Sequence, residues 1–207
     1  MVMPILTAPA PAAEDRSHEI LASIRQAFAD KGFDGASMQD LARAANMSVG
    51  NFYRYFPSKA AIVEAMVGLD LREIERDFAE ILDSPDLMAG LREKIHLRIT
   101  EDCRHDGQLW AEITAAAMRK PEIAAASLRM EDAIVRNLTT VFARATGRPL
   151  AEASDRYQGH CQLVVMLVKA TAIRASQSGP ASADLARLVL RMIDQTLNDV
   201  SNDTAKG

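Results

Sequence analysis

Apolar residues recur at three- and four-residue spacing along nearly the whole chain, the period of amphipathic helices. The first run, Ile20, Leu21, Ile24, Ala27 and Phe28, predicts a helix from Ser17 to Lys31 that Gly32 ends. Ser37 with Asp40 three residues later makes a capping-box start for a short helix, Met38 to Ala45, with Asp in place of the usual Glu or Gln. Asn46-Met47 forms a break, because Asn tolerates the left-handed conformation of a tight turn. Ser48 then caps a third helix, Val49 to Phe56, and Ser58 a long one reaching Asp83.

Further helices are expected from Ser84-Pro85 to His105 or Gly107, from Gln108 to Arg119, and from Lys120-Pro121 to Thr146. Two more run from Glu152 to Gln177 and from Ser182 to Val200. The result is an all-α chain of about nine helices with no strand, preceded by a Pro-rich arm over residues 1–13 that reads as disordered. Scarcity of Gly (10) and Pro (8) among 207 residues agrees with this helical reading.

Charge sharpens one segment. The net charge is −4, which excludes a wholly basic nucleic-acid coat. Yet from Leu41 to Val63 there is no Asp or Glu, while Arg43, Arg54, Lys59, Tyr53 and Tyr55 are present. Approach to phosphate explains such a local exception. Two short helices joined by a tight turn, after a longer one, have the rhythm of a helix-turn-helix over residues 37–56. On the third helix Phe52 and Phe56 are spaced i,i+4 towards a core, with Gly50, Asn51 and Arg54 opposite and the tyrosines on the flanks. Arg can pair with guanine O6/N7, Asn with adenine N6/N7, and Tyr hydroxyls can donate to phosphate.

The run Ser37…Leu41-Ala42…Ala45-Asn46-Met47-Ser48-x-Gly50-x-Phe52-Tyr53-x-Tyr55-Phe56-x-x-Lys59 resembles the DNA-binding domain of tetracycline-repressor (TetR)-family regulators, whose pattern is T…IA…AGVSxGxLYxHFxxK. Ser37 replaces Thr, Asn46-Met47 replaces Gly-Val, Phe52 replaces Leu and Tyr55 replaces His. The resemblance implies a DNA-binding domain over residues 14–74 and a larger helical effector-binding and dimerisation domain over 75–207. It implies phosphate contacts from Ser37, Tyr53, Tyr55 and Lys59. Gln39, Val49, Gly50, Asn51 and Arg54 would lie at base edges, and Ser48 would cap the recognition helix beside phosphate. The expected protein is a homodimeric, ligand-responsive repressor on a palindromic double-stranded DNA operator.

Outside this segment the chemistry is sparse. Trp110, Ile113, Met118, Phe142 and Met166 are candidates to line an effector cavity, for which few charges suggest a largely apolar small molecule. Leu163, Leu167, Ala170 and Ile173, with Leu185, Leu188, Val189 and Met192, form apolar rows that could build an intermolecular four-helix bundle. His96, Cys103 and His105 lack zinc-ligand spacing, and Cys103 and Cys161 form no CxxC, so no metal or cofactor is expected. Without a charged leader or ~18 uninterrupted apolar residues, the chain reads as cytoplasmic rather than exported or membrane-spanning. No catalytic arrangement stands out, so no enzyme activity is expected. The alternatives are a redox- or metal-responsive regulator, and a helical small-molecule-binding protein or enzyme without DNA function.

Overall fold

The structure, a computed structural model, describes residues 11–100, 107–178 and 183–203. The described residues form nine helices and no strand: α1 (Pro11–Lys31), α2 (Met38–Ala44), α3 (Val49–Tyr55), α4 (Lys59–Asp83), α5 (Leu87–Thr100), α6 (Gly107–Ala117), α7 (Pro121–Thr146), α8 (Leu150–Ser178) and α9 (Ala183–Asn202). Helix α1 begins earlier than its apolar period suggested, so Pro11 to Ala13 belong to it rather than to an arm. Pro is pre-set for a first helical turn and Ala is the best helix former, so this start is physically ordinary. Residues 1–10 lie outside the described part. Helix α5 also starts later than expected. Pro85 is not in its first turn; instead the Asp86 carboxylate accepts from Ala89 N at 2.9 Å. Its expected end, near His105, lies outside the described residues.

Local signals set the remaining boundaries. Helix α2 closes in a Schellman arrangement: Met47 N donates to Ala42 O at 2.9 Å and Asn46 N to Arg43 O at 3.1 Å. Asn46 takes the left-handed φ of 53° that this closure requires. Gly147 ends α7 the same way, at φ 69°. Pro121 opens α7 in its first turn.

Two apolar cores meet along α4. The first joins α1, α2, α3 and the start of α4 through Ile24, Phe28, Leu41, Phe52, Ile62 and Met66. It is not self-contained, because Leu109 and Ile113 of α6 and Ile123 of α7 complete it. The second gathers the far half of α4 with α5, α7, α8 and α9 around Phe78, Leu91, Phe142, Tyr157, Ile193 and Leu197. Leu69 belongs to the first core and Ile74 to the second, so α4 is a shared strut. Among the described residues no helix is long and apolar enough to cross a membrane.

Candidate nucleic-acid interface and adjoining cavity

Helix α3 has seven residues, and only Phe52 of them is buried. An isolated helix this short is unstable in water, so its orientation depends on that one ring and on its caps. The Phe52 ring lies 5.3 Å from that of Phe56, which caps the helix and is half-buried rather than fully enclosed. At the other end Ser48 Oγ accepts from Asn51 N at 3.4 Å. The opposite face is open: Val49, Gly50, Asn51, Tyr53, Arg54 and Tyr55 are all exposed. Arg54 donates to Asn51 Oδ1 at 3.0 Å and lies 5.7 Å from the centre of the Tyr55 ring. The two side chains best suited to reading bases are therefore already paired and held to one side.

Helix α2 contributes its N-terminus. Ser37 and Asp40 form a reciprocal capping box: Asp40 N donates to Ser37 Oγ at 3.1 Å and Ser37 N to Asp40 Oδ2 at 3.0 Å. Lys31, with help from Ser37, holds the Asp40 carboxyl well below the usual carboxylate range. The nearest acid is thus neutralised within its own cap, while Ser37 and Gln39 stay exposed. Lys59 is placed differently from the other expected DNA contacts. Its Nζ donates to Phe33 O at 2.7 Å and Asp34 O at 3.0 Å and sits 5.4 Å from the centre of the Phe33 ring. Partial burial, followed by the nearby Lys120 charge, lowers its pKa. It braces the α1–α2 corner, a role its sequence position does not reveal.

A cavity of about 550 Å³ lies behind this head, between α4, α5, α6, α7 and α8. Of the five residues expected there, only Trp110 lines it. Ile113 and Phe142 are fully enclosed in the two cores, and Met118 and Met166 face outward at 86% and 58% exposure. Helical period could assign these residues to a face, but not which face bounds empty space. The lining also corrects the expectation of few charges. Ile74, Phe78, Ile81, Leu91 and Leu138 give it apolar walls, yet Asp70, Asp77, Lys94, Arg98, Glu131 and Lys169 also reach it. These charges come from the half-polar faces of amphipathic helices that turn towards one another across the gap.

The cavity and the head share structural members. Asp70, 8% exposed, lines the cavity and is ion-paired to Arg25 of α1. On α6, Trp110 and Thr114 face the cavity. Residues Gln108 and Glu112 of the same helix hold the end of α1: Gln108 Nε2 donates to Ala29 O at 2.6 Å, and Phe33 N donates to Glu112 Oε2 at 3.0 Å. Gly32, at φ 75°, lets the chain turn there, and a Cβ on it would stand 3.1 Å from Glu112 Oε2. Asp34 of the same corner pairs with Arg119 and Lys120, and its carboxyl is held below the usual range chiefly by Lys120. Sequence reasoning missed Glu112, Gln108 and Asp34 because their partners lie about 80 residues away along the chain.

Residues 20–66, which carry this head, match the family described as bacterial regulatory proteins, tetR family. Over this segment the chain is similar to the DNA-binding region of that family. The regulator UidR of Escherichia coli K12 is 30% identical over 106 residues, which are 51% of this chain and 54% of UidR. The regulator EthR of Mycolicibacterium smegmatis is 32% identical over 74 residues, 36% of this chain and 34% of EthR. The chain thus spans about half the length of UidR and a third of EthR in these matches. The solved structure of Salmonella enterica GusR superposes with a TM-score of 0.69 at 27% identity, covering 93% of this chain and 98% of GusR. A transcriptional regulator from Rhodococcus sp. RHA1, 17% identical, shares the fold with a TM-score of 0.68 over 90% of this chain and 96% of its own. UidR and EthR are both described as HTH-type transcriptional regulators.

The second expected surface is partly open. On α9, Leu185, Leu188 and Met192 are exposed, while Val189 packs on the second core. On α8, Ala170 and the outward Met166 are exposed, while Leu163 and Ile173 are half-buried and Leu167 packs inward. Cys161 is buried beside Thr139, and burial pushes its thiol pKa up, which disfavours a reactive thiolate. Cys103 and His105 lie outside the described residues. Among the described residues no group of three or more His, Cys, Asp or Glu side chains is placed to hold a metal ion.

Proposed function

We propose that this chain is a sequence-specific, ligand-responsive repressor that acts in the cytoplasm as a homodimer on a palindromic operator. Residues 14–74 form the DNA-binding unit and 75–207 the effector-binding and dimerising unit. The observation that carries the reading is the recognition helix. Phe52 is its one buried side chain, it presents a paired Asn51 and Arg54, and no carboxylate interrupts residues 41–63. Asn51, Arg54, Gln39, Val49 and Gly50 meet base edges, while Ser37, Ser48, Tyr53 and Tyr55 meet phosphates. Lys59 supports them from behind the α1–α2 corner, and any phosphate contact it makes requires release of those carbonyls.

The apolar outer faces of α8 and α9 pair with those of a second copy about a two-fold axis. Occupation of the cavity moves α4 and α6, which carry the change to the head through Arg25–Asp70 and the Gln108 and Glu112 contacts. A ligand releases DNA only by preferring the conformation that DNA disfavours.

Selection from fragmented genomic DNA tests this reading. The expected result is enrichment of an inverted repeat with half-sites about 10 base pairs or a multiple apart, with retention that falls steeply as salt rises. Sedimentation at micromolar protein should give twice the 22.6 kDa chain mass. Retention without sequence preference, or a monomer of constant mass, would overturn it.

A further inference from the structure

We propose that the cavity takes a monoanionic amphiphile, an apolar body carrying one carboxylate, with Arg98 as the counter-charge. The inference rests on the effector-responsive reading above and names the ligand class of that same cavity. It comes from accounting for every charge on the wall. Lys94 donates to Asp77 at 2.8 Å and Glu80 at 2.6 Å, and these carboxylates raise its pKa. Lys169 is paired with Glu131, and Asp70 with Arg25. Glu73 is also engaged. Each wall carboxylate therefore already has a partner. Arg98 alone among the wall's cations has no ion pair or hydrogen bond among the described residues.

A cationic ligand would have to break an existing pair to find its counter-charge. A neutral ligand would offer the half-buried guanidinium no counter-charge. A carboxylate meets the planar guanidinium fork with two parallel hydrogen bonds. Among the described residues Arg98 is the one unpaired cation of the wall, which sets the charge at one. The rest of the wall sets the body. Leu91 and Ile95 lie along α5 before Arg98, and Ile74, Phe78, Leu138 and Val164 complete an apolar chamber. A volume of about 550 Å³ is within the range of small-molecule sites. Arg98 also sits in the last turn of α5, where a cation suits the helix dipole. That fact explains its tolerance there, but among the described residues no side chain accepts from its five N–H groups.

Trp110 is the single tryptophan and lines the cavity, so its fluorescence reports occupancy. The full chain is titrated with decanoate, decanol and decylammonium at fixed ionic strength, below their aggregation concentrations. Decanoate should bind at least tenfold more tightly than the other two. Arg98→Gln should remove that advantage while leaving decanol unchanged, and Arg98→Lys should retain part of it. A thermal melt of each variant accompanies the titrations, and Arg98→Lys carries the test if the glutamine variant does not fold. Equal binding of the three probes, preference for decylammonium, no fluorescence response, or an undiminished advantage in folded Arg98→Gln each overturns the proposal. Retention of genomic DNA, measured separately, distinguishes the two readings. Retained DNA with no head-group preference refutes only the ligand class. A carboxylate preference without any DNA retention upholds the anion site and refutes the regulator reading.

Discussion

Replacing Phe52 by Ala removes the single buried side chain of α3, a ring with no solvent exposure. Burying an aromatic side chain of this kind is worth ~1.5–3 kcal/mol by area alone. The unfilled space adds to that, so Phe→Ala in a closed core costs ~3–5 kcal/mol. At ~1.4 kcal/mol per tenfold, local opening of this helical head should rise from roughly a hundredfold to a few thousandfold. Phe56→Ala should cost roughly half as much, because that ring is only partly enclosed. Hydrogen exchange is the direct assay. The Phe52 and Phe56 amides donate to Ser48 O and Phe52 O at 2.9 Å, and both should lose protection in Phe52→Ala. Amides around Phe142 and Tyr157, in the second core, should exchange much as before. DNA retention should fall with the exchange change and recover partly on cooling. A Phe52→Ala protein with wild-type protection in α3 would refute the view that this ring docks the helix.

Other substitutions separate reading from folding. Gly50→Ala meets no atom within 4 Å and should stabilise α3 by ~0.5–1 kcal/mol, yet weaken operator binding, whereas Gly32→Ala should lower the melting temperature through its φ of 75° and its approach to Glu112. Arg54→Ala should cost ~1–3 kcal/mol of operator affinity and relax preference at one base pair per half-site; a uniform loss over all sequences would make it a phosphate contact. The Asp34 carboxyl is lowered by its pairs with Lys120 and Arg119, so its contribution is complete above the ordinary carboxylate value of 3.8 and vanishes as the pH falls through its depressed native value. Thermal melts of Asp34→Asn against wild type should therefore differ at pH 7 and converge in strong acid; a gap that stays constant would exclude this linkage.

Local signals along the chain specified most helix boundaries and the exposed face of α3. Capping residues, breaks and apolar spacing act within a few residues, so Ser37, Asn46, Ser48, Gly147 and Pro121 could mark their boundaries directly. The exposed set on α3 followed from the i,i+4 spacing of Phe52 and Phe56, although their unequal burial did not. What only the tertiary structure decided depends on residues far apart in the chain. Whether Lys59 meets solvent or two carbonyls depends on where the α1–α2 corner lies. Whether Ile113 lines a void or fills a core depends on which side of α6 faces α1. Met166 became an outer-surface residue and Arg98 a cavity residue for the same reason. A helix's period names its faces, but the neighbour on each face is set by packing over the whole chain, and a cavity is the space that packing leaves unfilled.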